Sequence, residues 1–306
     1  MKIALDTSES EEHLAFVRSL GLTDVVCGMP ADIDGVVPVE AFERRRDLFS
    51  RHELDWGVIE NLTSTLYDEI MLGTPERERQ LDGVCRTIEN VGKAGIPVLQ
   101  YQWILLGGLR TEYSPTGPSG ARYPRFDSEV ARHMAAACLD WLGGGRHRYP
   151  HVPDRPLSSE EIWANLEWFL KALVPVVESA GVRLAAHPDD APVPEYLGVA
   201  RILIDVDSRQ RIIDIVPSPN NGIGFCMGDI DMVAAVRFEG GDRPLGDGPL
   251  NAAACVTAMA AAGYDGLVRA GTAALLATDD DWKPKGAAND LGYLRAVLQT
   301  LDSQGY

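Results

Sequence analysis

Two hydrophobic periods alternate along the chain. Short runs that are apolar at nearly every position, the mark of a buried strand, are followed by longer stretches with apolar residues at every third or fourth place, the spacing of an amphipathic helix. The clearest instance lies between residues 169 and 194. Phe169, Leu170, Leu173, Val176 and Val177 fall on one helical face, Gly181 ends the helix, and residues 182–186 continue as a strand. That strand runs into His187-Pro188-Asp189-Asp190, so an imidazole able to bind metal and two carboxylates follow directly on a buried segment. A barrel strand delivers chemistry at its C-terminal end in this way, although a core histidine before a proline turn leaves the same trace.

The same alternation predicts strands at 2–5, 24–28, 55–60, 97–103, 182–186, 222–227, 233–239 and 266–271. Between them the spacing predicts helices over 10–20, 39–52, 74–94, 162–180, 207–216, 251–262 and 291–301. Ser158-Ser159-Glu160-Glu161 reads as a capping box, Thr74-Pro75-Glu76 as a second helix start, and Pro175 is expected to kink the helix it sits in. Strands that alternate with helices predict an α/β protein, here a single (β/α)8 TIM barrel spanning residues 1–306. Between the fourth and fifth strands the pattern dissolves, over 104–157, into Gly, Pro, Arg and aromatic residues. So long an irregular insertion predicts a lid over an active site or an interface arm.

Composition narrows the function. Lys and Arg total 28 against 45 Asp and Glu, a net charge of −17, so a polyphosphate backbone is repelled and nucleic acid is not an expected partner. A small-molecule substrate is expected, and an anionic one needs a local basic pocket. Cys27, Cys85, Cys138, Cys226 and Cys255 are odd in number and far apart, the pattern of reduced thiols in a cytoplasmic protein. No apolar run is long enough for a membrane span, so no membrane partner is expected, and a homo-oligomer is the default assembly.

If the barrel closes, the ends of strands three to eight bring Glu60 with Asn61, Tyr101 with Gln102, His187, Cys226, Arg237 with Glu239, and Arg269 to one mouth. Arg237 and Arg269 are suited to clamp a carboxylate, Glu60, Glu239 and Asp189 are candidate bases, and Cys226 beside His187 is a candidate thiolate. A salt bridge between Arg237 and Glu239 that fills the mouth, with an inert Cys226, accounts for the same residues without chemistry.

The helix, the Gly-Val-Arg turn, the strand and the His187-Pro188-Asp189-Asp190 terminus resemble the corresponding segment of the mannonate dehydratases, sugar-acid lyases on a TIM barrel. Trp56-Gly57-Val58-Ile59-Glu60-Asn61, Gln100-Tyr101-Gln102-Trp103, Leu109-Arg110-Thr111 with Arg125-Phe126-Asp127, and Gly224-Phe225-Cys226-Met227-Gly228 extend the likeness. The resemblance implies that His187 and Cys226 occupy two ligand positions of a divalent metal, manganese or iron. It also implies a third ligand in a His-Phe-Arg sequence and a fourth in Arg-Pro-Asp-His. This chain reads Arg237-Phe238-Glu239 and Arg269-Ala270-Gly271-Thr272 there, so two of the implied ligands are missing and only a residual half-site is left. No tightly bound cofactor is therefore expected, and manganese or iron is the expected ion if one binds.

The expected activity is that of a mannonate-dehydratase-like lyase or isomerase on a small sugar acid or polyhydroxy carboxylate, with proton abstraction next to the carboxylate or carbonyl and altered or metal-independent chemistry. Glu60 or Glu239 is the expected base, His187 the general acid or remaining ligand, and Arg237 the electrophile. Tyr101, Gln102, Arg110, Asp189 and Arg269 are expected at the substrate. The alternative is a non-catalytic barrel that binds a sugar acid or a partner.

Overall fold

A computed structural model describes residues 1–108, 111–112, 120, 126–131, 133, 153, 155–226, 233–238, 245–246, 251–270, 276, 279 and 283–304, with backbone alone for 226, 233–238 and 270. Among the described residues, eight parallel strands close into a barrel: β1 (Lys2–Asp6), β2 (Asp24–Cys27), β3 (Asp55–Glu60), β4 (Val98–Gln102), β5 (Arg183–His187), β8 (Asn221–Cys226), β9 (Val233–Phe238) and β10 (Leu267–Ala270). Neighbours run in the order β1-β10-β9-β8-β5-β4-β3-β2, and β1 pairs with both β10 and β2, so no edge is left open. Most of the expected cover over 104–157, with Met227, Glu239 and Gly271, lies outside the described residues.

Helices form the outer layer, and their polar punctuation explains where they begin and end. The helix Ser159–Ala180 opens on a complete capping box, in which the Glu161 amide donates to Ser158 Oγ and the Ser158 amide to Glu161 Oε2 at 3.0 Å. It closes at Gly181, whose φ of 68° suits a residue without Cβ. Ile162, Leu166, Phe169, Leu170, Leu173 and Val177 make its buried face, and the helix is continuous through Pro175. Phe169 packs against Tyr67, Trp103 and Tyr101, an aromatic cluster that ties this helix to β4.

Three elements depart from the sequence reading. The last helix, Pro284–Gln304, starts two turns before its apolar face because Pro284 needs no amide partner and Asp279, in the preceding loop, accepts from the Lys285 and Gly286 amides. The helix Arg77–Lys93 has no side-chain cap; Thr74 Oγ1 instead accepts the Glu76 amide at 3.2 Å. A hairpin, β6 (Glu195–Tyr196) with β7 (Val199–Ala200), turns through Leu197 and Gly198, both at positive φ; the Leu157 amide donates to the Gly198 carbonyl, and the Leu157 carbonyl accepts from the Ala200 amide.

Inside the barrel, Ala4, Val26, Val58, Val98 and Ala185 pack into a small cluster with Leu267 against it. This apolar plug is the floor on which the mouth is built.

Candidate functional site

Side chains alternate along a strand, so the residue two places beyond each plug residue faces the same interior, one layer nearer the C-terminal end. Stepping on from Ala4, Val58, Val98, Ala185 and Leu267 gives Asp6, Glu60, Gln100, His187 and Arg269. Five of the six steps from an all-apolar floor thus reach a polar side chain, and the sixth, from Val26, reaches Gly28. Gln102, one step beyond Gln100, pairs in register with His187.

Arg269 is the centre of this layer. Its side chain is 6% exposed, and its guanidinium forms ion pairs with both Asp6 on the adjoining strand β1 and Glu60 on β3. It therefore lies across the mouth from β10 past β1 and β2. Glu60 is nearly covered at 12% exposure, whereas Asp6 is open at 54%. A guanidinium stays charged at any ordinary pH, so the layer keeps a fixed positive charge beside its carboxylates.

His187 is buried, and its Nδ1 lies 2.7 Å from the Pro188 carbonyl oxygen. A carbonyl only accepts, so Nδ1 carries the proton and Nε2 is the basic nitrogen of the neutral ring. The next residue but one has a different task. Asp189 is buried against Arg201, Oδ1 to Nε 3.3 Å, and its Oδ2 accepts the Leu203 amide at 2.7 Å. Burial raises the Asp189 carboxyl above its ordinary range, and the Arg201 guanidinium opposes the rise. Arg201 also donates to the carbonyls of Gly107 and Asp190, so this pair fastens the chain after β4 to the chain after β5.

The structure brings Glu60, His187, Gln102 and Arg269 to one face and does not bring Tyr101 or Asp189 there. Tyr101 takes the opposite face of β4, fully buried against Phe169, because its neighbours Gln100 and Gln102 claim the interior. Asp189 is turned into its pair with Arg201. Cys226 and Arg237 are placed by backbone, and register pairs Cys226 with Arg237 and Arg237 with Arg269. Arg110 and Glu239 lie outside the described residues. Sequence reasoning missed Asp6, Gln100 and Arg201. Asp6 was within reach, since it is the next alternate residue after Ala4, but the first strand was ended one residue short. Arg201 sits in an irregular segment, where no period marks it.

The described side chains alone do not make up the metal site that the resemblance implies, and Cys226 is placed by backbone only. No three His, Cys, Asp or Glu residues come together to hold an ion among the described residues. The two carboxylates of the polar layer are both on a guanidinium, which offers no lone pair and repels a divalent cation, and His187 contributes one nitrogen.

Comparison with known proteins places this geometry. A mannonate dehydratase from Streptococcus equi subsp. zooepidemicus is 29% identical over 244 residues, 73% of this chain and 63% of that one. The chain spans about three fifths of the length of the curated relatives it matches. The crystal structure of mannonate dehydratase from Streptococcus suis serotype 2 superposes with a TM-score of 0.82 at 22% identity, covering 97% of this chain and 93% of that one. D-psicose 3-epimerase from Clostridium cellulolyticum H10 follows at 0.63 and 11% identity, covering 97% of this chain and 99% of that one, which extends the likeness of fold alone. Among the described residues no helix is long and apolar enough to cross a membrane. The family model for D-mannonate dehydratase (UxuA) matches residues 6–237, from Asp6 at the mouth to Arg237, where the resemblance implied a ligand histidine. That match covers well over half of the chain, which therefore belongs to the D-mannonate dehydratase family.

Proposed function

We propose that the polar layer at the barrel mouth is the active site of a carbon–oxygen lyase that dehydrates a small sugar acid. The observation that carries the reading is the buried guanidinium of Arg269, fixed between Glu60 and Asp6 in the layer that also holds His187. A carboxylate substrate that loses its α-proton builds negative charge on its carboxylate oxygens, and a preorganised cation beside it stabilises that charge. Glu60 takes the proton as base. His187, protonated at Nε2, gives that proton to the departing β-hydroxyl, so water leaves and the enol relaxes to a keto acid. Gln102, beside His187 in register, supplies hydrogen bonds to substrate hydroxyls. Arg237, paired in register with Arg269, adds the second cation of a carboxylate clamp. The donor set supports chemistry in which Arg269 and Arg237 carry the charge that a metal carries elsewhere, with Cys226 and His187 as the remnant of its site.

In this reading the chain is one barrel domain and the enzyme is a cytoplasmic homo-oligomer. The test is incubation with D-mannonate and a panel of aldonates in D2O, followed by NMR. Deuterium at the carbon next to the carboxylate, together with a keto-acid product, supports the reading. A ligand that raises the melting temperature yet exchanges nothing and yields no product leaves a binding protein in its place.

A further inference from the structure

We propose that Asn61 binds a hydroxyl group of the substrate through its side-chain amide, and that Gln100 sets which end of that amide meets the ligand. The inference deepens the reading of the mouth as a sugar-acid site and rests on it for the class of ligand.

Three observations carry it. First, Gln100 is buried inside the barrel, in the same layer as Glu60, His187 and Arg269. Its Oε1 lies 3.3 Å from where a Cβ on residue 224 would sit, so Gly224 on β8 leaves the room that the Gln100 amide occupies. Second, Gln100 Nε2 donates to Asn61 Oδ1 at 2.8 Å. Asn61 is one residue past Glu60, where alternation alone would turn it away from the interior, yet this bond places its amide on the interior side. Third, an amide that accepts through its oxygen still has two N–H groups to give, and among the described residues Asn61 Nδ2 donates to no protein atom. Asn61 is only half-buried, so these donors stand at the mouth beside the proposed base.

A joint that merely ties β3 to β4 has no need of the pair, because the Leu62 amide already donates to the Gln100 carbonyl oxygen at 2.7 Å. A neutral N–H offers an oxygen a hydrogen bond without adding charge. That suits a hydroxyl, while the guanidinium of Arg269 suits the carboxylate. Asn61 is therefore the ligand contact, and Gln100 is a positioning residue that acts through it.

The experiment is a calorimetric titration of the whole chain and its variants with D-mannonate and with its monodeoxy analogues, each lacking a single hydroxyl. Asn61→Ala is expected to weaken D-mannonate binding about five- to tenfold, the effect of losing a neutral hydrogen bond, and Gln100→Leu, which keeps the bulk and loses the amide, to weaken it by a similar factor. For one analogue the wild type is expected to lose that same factor, and both variants to bind that analogue as the wild type does. Asn61→Asp, which still accepts from Gln100 but has no N–H to give, is expected to lose the same selectivity. If the Gln100→Leu chain does not fold, Asn61→Ala, just beyond the strand, decides. Variants that weaken every analogue by one common factor, or that bind D-mannonate as the wild type does, overturn the proposal, and so does a wild type that does not bind D-mannonate. Selective binding without deuterium exchange or keto acid defeats the lyase reading alone; turnover without the selectivity defeats this proposal alone.

Discussion

Among the described residues two arginines are buried, and they differ in what surrounds them. Arg201 faces one carboxylate, Asp189, with both side chains nearly sealed, and it spends its remaining N–H groups on backbone carbonyls. Arg269 faces two carboxylates, one covered and one open to solvent. The balanced pair fastens two loops. The trio at Arg269 keeps one carboxylate, Asp6, accessible at the barrel mouth, which a purely structural pair has no reason to do.

The contrast can be broken by deletion. Arg201→Ala strands Asp189 in a sealed site, and loss of one partner of a buried pair costs about 3–5 kcal/mol. Urea unfolding is expected to show that loss with an unchanged slope. Arg269→Ala is expected to cost less, about 1–3 kcal/mol, because water reaches Asp6 and relieves one of the two carboxylates it leaves behind. If the two losses were reversed in size, Arg269 would be the fastener and the distinction would fall.

An exposed pair sets the lower end of the scale. Arg155 and the Ser158 cap hold the Glu161 carboxyl down to about 2, from an ordinary 4.5. A depressed acid contributes stability above its unfolded value, and that contribution disappears as pH falls from about 4.5 to about 2. Glu161→Gln is expected to lower the melting temperature slightly near neutrality and to converge on wild type as pH falls through that window. A variant profile parallel to wild type throughout would show that the pair contributes nothing.

The barrel was legible because its physics is local. Each strand is a short apolar run bounded by Gly, Pro or polar residues, and the eight expected strands agree with the described ones to within one residue at either end. The hairpin was not legible, because two-residue strands are too short to show a period. The site was legible in part. Glu60, His187 and Arg269 terminate or nearly terminate strands, where position alone marks them. Tyr101 stands at the same place in its strand, but on the opposite face, and only the register of the apolar plug reveals which face is interior. Asp189 looked like a free carboxylate because its partner, Arg201, lies twelve positions along in an aperiodic segment.

The central claim is that a guanidinium does the work of a metal at this mouth. It is tested most directly by the rate of solvent-deuterium exchange next to the carboxylate of a sugar acid, measured on wild type before and after exhaustive chelation and on Arg269→Ala. The account predicts less than about a twofold loss on chelation and a loss on the order of 100-fold in the variant, the usual effect of removing one preorganised charge donor. Exchange that chelation abolishes and manganese restores, with Arg269→Ala close to wild type, would contradict it.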